Sequence, residues 1–74
     1  MTLQEQLGKA IIKLRKERNL SQETFAYESG IDRRYMSDIE NGKRNVSLDI
    51  LERIAAQLNI TISGLFLVVE NIKE

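Results

Sequence analysis

With 74 residues and neither cysteine nor histidine, the chain has room for one small domain and excludes disulfide frameworks, thiolate zinc sites and His-based catalysis. Eleven Lys/Arg balance eleven Asp/Glu, and 42% apolar with 30% charged residues is the composition of a globular domain rather than a disordered one. The polar stretch after Met1 carries no signal-peptide pattern, and the longest apolar run, 65–69, is five residues against the roughly 20 of a membrane span.

The first apolar periodicity, Leu3, Leu7, Ala10, Ile11 and Leu14, predicts a helix from residue 2 or 3 to about 18. Thr2 is placed to cap it, with Glu5 three residues on completing a capping box. Ser21 is an N-cap for a second helix over 22–29 that buries Phe25 and Ala26, and Gly30 closes it with a left-handed residue. Asp32 caps a third helix over about 33–41, which Gly42 ends.

Val46 or Ser47 opens a fourth helix, where Leu48, Leu51, Ile54, Ala55 and Leu58 form one apolar stripe and Asn59 a left-handed exit. A fifth helix starts at Thr61 and runs to about residue 72. There is no proline, and the one β-like stretch, 65–69, lacks turn residues after it. The expected fold is an all-α bundle of five short helices, one domain over 1–74.

The turn at Gly30, Ile31 and Asp32 between two short helices has the form of a helix-turn-helix over about 22–41. With Met36 at the centre of the buried face of the third helix, Ile39 falls about 60° away, and Arg34, Asp38 and Asn41 fall on the opposite side. Arg33, Arg34, Tyr35, Ser37 and Asp38 then make a broad polar face that suits the DNA major groove, where arginine reads guanine through two hydrogen bonds. Asp38 would accept from a cytosine amino group or steer a neighbouring arginine. Phosphate contacts fall to Gln22 at a helix N-terminus and to the loop of Lys43, Arg44 and Asn45. Spacing alone leaves a solvated surface as an open reading of the same residues.

Zero net charge speaks against nucleic acid, but its distribution does not. Residues 1–45 hold nine Lys/Arg and seven Asp/Glu, and residues 46–74 hold two and four.

The run LRKERNLSQETFAYESGIDRRYMSDIENGKRNVSLDILERIAAQL, residues 14–58, resembles the helix-turn-helix of the phage repressor/Cro family. The pattern lies in Leu20, Ser21-Gln22, Ala26, Gly30-Ile31, Ile39-Glu40, Asn41-Gly42, Leu51, Ile54-Ala55 and Leu58. Within it, IDRRYMSDIENGKRNVSLDILERIA is more similar to the controller proteins of restriction–modification systems. These show an Asp-Arg-x-Tyr-[Ile/Met]-Ser stretch and a later Arg-Asn-[Val/Leu], with Asn45 where many other members carry proline.

The resemblance implies that Arg33, Arg34, Tyr35, Ser37 and Asp38 face the bases, and that Gln22, Lys43, Arg44 and Asn45 hold the backbone. It also implies an ion pair between Arg15 and Glu40. Helical geometry points the same way, because Arg15 follows Ile11 by four residues and Glu40 lies about 40° from Met36. Two opposite charges aimed inward need each other, since an unpaired buried charge is expensive. Lys9, Lys13, Lys16 and Arg18 read as a solvated face, with one or two of them near phosphate as the alternative.

The fifth helix is apolar around more of its circumference than one small core uses, so Leu65, Phe66, Leu67, Val68, Val69 and Ile72 are expected to form a twofold dimer interface. Relatives dimerise through this region, and a helix wholly spent on the monomer core is the alternative.

The expectation is therefore a homodimeric transcription regulator on a near-palindromic operator in double-stranded DNA, alone or as two dimers on adjacent sites. It would be cytoplasmic, with no cofactor, no metal, no membrane and no enzymatic activity. The controller resemblance implies regulation of a restriction endonuclease gene and of its own promoter. A phage-type repressor, a DNA-binding antitoxin, and a protein–protein adaptor that no longer reads DNA are the alternatives.

Overall fold

Every helix begins on a side-chain oxygen. In the computed structural model, which describes residues 1–73, the helices are α1 (Leu3–Glu17), α2 (Gln22–Ser29), α3 (Arg33–Glu40), α4 (Leu48–Gln57) and α5 (Ile62–Glu70), with no strand among the described residues. Their N-caps are Thr2, Ser21, Asp32, Ser47 and Thr61, each accepting from a backbone N–H one turn into its helix. Each such oxygen takes up a donor the first turn leaves unpaired, and truncating a cap to alanine costs about 0.5–2 kcal/mol. At α1 the cap is reciprocal: Thr2 N–H donates to Glu5 Oε1 at 2.8 Å, and Glu5 N–H donates to Thr2 Oγ1 at 3.1 Å. The bond from the Thr2 backbone holds the Glu5 carboxyl below its ordinary value.

Four of the five exits share one geometry. Asn19, Gly30, Gly42 and Asn59 have φ between 58° and 72°. At each, the next residue's N–H reaches back five positions, as from Leu20 to Arg15, Ile31 to Ala26, Lys43 to Asp38 and Ile60 to Ala55. This is the Schellman closure, which turns the chain sharply while satisfying the last carbonyls.

The exits fold the five helices around Ile11, Phe25, Met36, Ile39, Ile54, Leu65 and Val69, all fully buried. Helix α1 packs on α3 and α5, α2 on α3 and α4, and α4 on α5. The tightest approach is at Gly8, where a Cβ would overlap the carbonyl oxygens of Ile39 and Glu40. Glycine is there because backbone meets backbone.

Several expectations need correction. Leu48 is 80% exposed and Leu3 57%, so neither belongs to the core stripe assigned to it. Leu48 is the first residue of α4, directly after the cap, and lies off the edge of the bundle. Helix α5 stops at Glu70, two residues early, because Asn71 Nδ2 donates to Leu67 O at 2.7 Å and Asn71 caps the end. Leu65 and Val69 have no exposed surface. They are core residues of a single subunit and cannot form the dimer face expected of them. No single helix among the described residues is long and apolar enough to cross a membrane.

Candidate nucleic-acid interface

Two short helices and a three-residue turn build the site. The left-handed Gly30 ends α2, Ile31 plugs the core, and Asp32 Oδ2 accepts from Arg34 N–H at 3.0 Å and Tyr35 N–H at 3.3 Å to start α3. Arg53 on α4 braces the turn, its Nη1 donating to Gly30 O at 3.1 Å. The relative angle of α2 and α3 is thereby set by buried apolar contacts and by satisfied backbone groups.

Helix α3 is divided lengthwise. Met36, Ile39 and Glu40 point into the protein; Arg33 and Arg34 are exposed, and Tyr35, Ser37 and Asp38 are half-buried along the outer side. The structure thus brings Arg33, Arg34, Tyr35, Ser37 and Asp38 onto one connected face. Not all of them are free. Arg33 Nη1 lies 3.5 Å from Glu23 Oε2 on α2, both well exposed, so this pair is weak. Arg44 Nε donates to Asp38 Oδ2 at 3.3 Å, and its guanidinium carbon lies 4.8 Å from the centroid of the Tyr35 ring. The Arg34 and Lys43 side chains form no ion pair among the described residues.

Lys43 occupies a telling place. At the other three Schellman exits the corresponding residue is Leu20, Ile31 or Ile60, each packed on or in the core. A hydrophobic contact is the usual accompaniment of that position. At the end of α3 it is an exposed lysine instead, which gives up packing to leave a cation beside the polar face. Asn45 Oδ1 accepts from Gln4 Nε2 on α1, so the 43–45 loop is also tied to the body.

Behind the face lies a buried ionic network. Arg15 Nε and Nη2 donate to Glu40 Oε2 and Oε1 at 2.7 and 2.9 Å, with side-chain exposures of only 11% and 3%. Arg15 Nη1 also donates to Leu20 O at 3.2 Å, and Gln22 Nε2 to Glu40 Oε1 at 3.0 Å. The hydrogen bonds to Glu40 raise the guanidinium's pKa above its ordinary value. The Gln22 side chain is therefore committed inward. What Gln22 can offer a phosphate is its backbone N–H at the start of α2, one of the donors a helix leaves unpaired.

Sequence spacing did not give the Gly8 contact, the Arg53 brace, the Arg33–Glu23 pair, or Arg44 as the arginine that Asp38 engages. The last pair joins residues six apart across a left-handed exit, and no helical periodicity relates them.

On the far side of the bundle, α5 leaves Leu67 63% and Ile62 41% exposed, with Phe66, Val68 and Ile72 half-buried. A groove runs from Phe66 to the 43–45 loop, lined by Leu3, Leu7, Val46 and Leu51 with Gln4 and Asn45 at its polar end.

Residues 11–65 match the HTH_3 family, described as helix-turn-helix. The chain is 60% identical over 60 residues to the control protein C.MunI of Mycoplasma sp, spanning 80% of this chain and 81% of that protein. Its fold is similar to the crystal structure of the restriction–modification controller protein C.AhdI from Aeromonas hydrophila, with a TM-score of 0.82 and 41% identity over 85% of this chain and 96% of that one. It is also similar to the controller C.Esp1396I, solved as a tetramer with its natural 35 base-pair operator, with a TM-score of 0.84 and 33% identity over 95% of this chain and 92% of that one.

Proposed function

The chain belongs to the HTH_3 helix-turn-helix family, and from that premise we propose that it is a DNA-binding transcription regulator of the restriction–modification controller kind. The observation that carries the proposal is the lengthwise division of α3. One side is core, and the other offers Arg33, Arg34, Tyr35 and Ser37 beside Lys43, with Arg34 and Lys43 in no ion pair among the described residues. Such a helix enters the major groove with its N-terminal residues on base edges.

In this reading Arg33 and Arg34 reach bases, Tyr35 and Ser37 line the groove, and the α2 N-terminus at Gln22 grips one phosphate strand. Lys43 and Asn45, on the loop after α3, grip the other. Two copies join through the apolar side chains that α5 leaves partly uncovered, Leu67 with Phe66 and Val68 on either side of it, placing two α3 helices on a near-palindromic operator, alone or as two dimers on adjacent sites. The genes controlled are a restriction endonuclease and the regulator itself, in the cytoplasm. The relatives are control proteins, and no catalytic activity forms part of the proposal.

Selection from random duplex DNA at near-physiological salt tests this. Enrichment of a twofold site with half-sites about one helical turn apart is the expected result. Weak, salt-sensitive binding with no preferred sequence would overturn it in favour of a protein partner.

A further inference from the structure

Asp38 is the one acidic side chain on the polar face of α3. A carboxylate there repels every phosphate that approaches. It is not a bystander, because Tyr35 and Asp38, one helical turn apart, make a two-point cradle for a single guanidinium. Arg44 crosses from the following loop, donates from Nε to Asp38 Oδ2 at 3.3 Å, and lies with Cζ 4.8 Å above the Tyr35 ring centroid. Both contacts are solvent-accessible, with Arg44 51% and Asp38 32% exposed, so each is weak and can be exchanged for a contact to DNA.

We propose that Asp38 is a positioning residue that sets specificity: together with Tyr35 it biases Arg44 toward one orientation on DNA. This rests on the DNA-binding reading above. On a duplex that accepts Arg44 where it lies, the Asp38 charge stays neutralised and the cation arrives already oriented. On any other duplex Arg44 must swing away to find a phosphate, and the swing strands an unpaired carboxylate among phosphates. Asp38 thus penalises binding to the wrong sequence more than it strengthens binding to the right one.

The test is a double-mutant cycle on Asp38→Asn and Arg44→Ala, with affinities measured on the selected operator and on a scrambled duplex of equal length. A second readout needs no DNA: the NMR signal of the Arg44 Nε–H in the free protein. Asp38→Asn is expected to shift that signal and to lower the operator-to-scrambled affinity ratio by up to about fivefold, the upper end for a weak exposed pair. Most of the change should be tighter binding to scrambled DNA. In the Arg44→Ala background the same substitution should leave the ratio unchanged.

An equal fall in the ratio in both backgrounds would overturn the proposal, since Asp38 would then act on a base by itself. An Nε–H signal indifferent to Asp38→Asn would also overturn it, because the pair would not exist in solution. If the signal responds but the wild-type protein prefers no sequence, the DNA-binding reading itself fails, and the role of Asp38 falls with it.

Discussion

Replacing Glu40 with alanine should remove close to half of the domain's stability. The carboxylate accepts three hydrogen bonds, from Arg15 Nε, Arg15 Nη2 and Gln22 Nε2. With Glu40 gone, the Arg15 side chain, only 11% exposed in the intact pair, keeps one bond, to Leu20 O. Breaking a buried pair by removing one partner costs about 3–5 kcal/mol, because the other charge stays buried. At roughly 0.05–0.15 kcal/mol per residue, a domain of 74 residues has about 4–11 kcal/mol in total. A loss of this size lowers the melting midpoint of so small a domain by at least about 12 °C.

Urea titration followed by far-UV circular dichroism measures the loss directly, on Glu40→Ala, Arg15→Ala and the double variant. The double variant should be no worse than the worse single one, since removing both partners leaves no orphan. The paired apolar replacement Arg15→Met with Glu40→Leu should come closer still to wild type. If each single variant cost under about 1 kcal/mol and the two added, the pair would be behaving like an exposed one, and its burial would mean nothing energetically.

Other outcomes follow from the same contacts. Arg34→Ala should weaken operator binding by about 1–3 kcal/mol and relax the preference at one base position, whereas Lys43→Ala should weaken all sequences alike and reduce the salt slope by about one; identical profiles for the two would refute their separate roles. Leu67→Glu should leave a folded monomer in sedimentation at concentrations where the wild type is a dimer, while Leu65→Glu should fail to fold because that site has no exposed surface. A dimer surviving Leu67→Glu would place the interface elsewhere. Gly8→Ala should destabilise by about 1–3 kcal/mol, even though alanine is the better helix former; a raised urea midpoint would show that α1 can move off the carbonyls of Ile39 and Glu40.

Helix boundaries, apart from the end of α5, were readable in advance because they are decided locally. Ser21, Asp32, Ser47 and Thr61 act on N–H groups within three residues, and Gly30, Gly42 and Asn59 on carbonyls within five. The placement of Arg15 and Glu40 was readable for a different reason: a charge in an apolar stripe admits few explanations. Facing was harder. Helix α5 is apolar nearly all round, so no periodicity could say that Leu65 and Val69 lie inside while Leu67 lies outside. Leu48 fitted the stripe of α4 by spacing and failed it by position at the helix tip. Contacts across turns, such as Arg44 with Asp38 or Arg33 with Glu23, depend on where two separate elements come to rest. On the outer face of α3, which residues share that face was legible and their mutual engagements were not.

The local encoding of the helix ends also bears on time. Each boundary is fixed by residues a few positions away, and a helical chain rich in near-neighbour contacts folds in microseconds to milliseconds. With no proline and no cysteine, neither prolyl isomerisation nor disulfide exchange can impose the seconds-to-hours phases those reactions bring. Residues 1–73 would reach this fold almost at once after synthesis. Under the proposed function, the delay between synthesis and action would then be set by accumulation and by the meeting of two copies, with little added by folding.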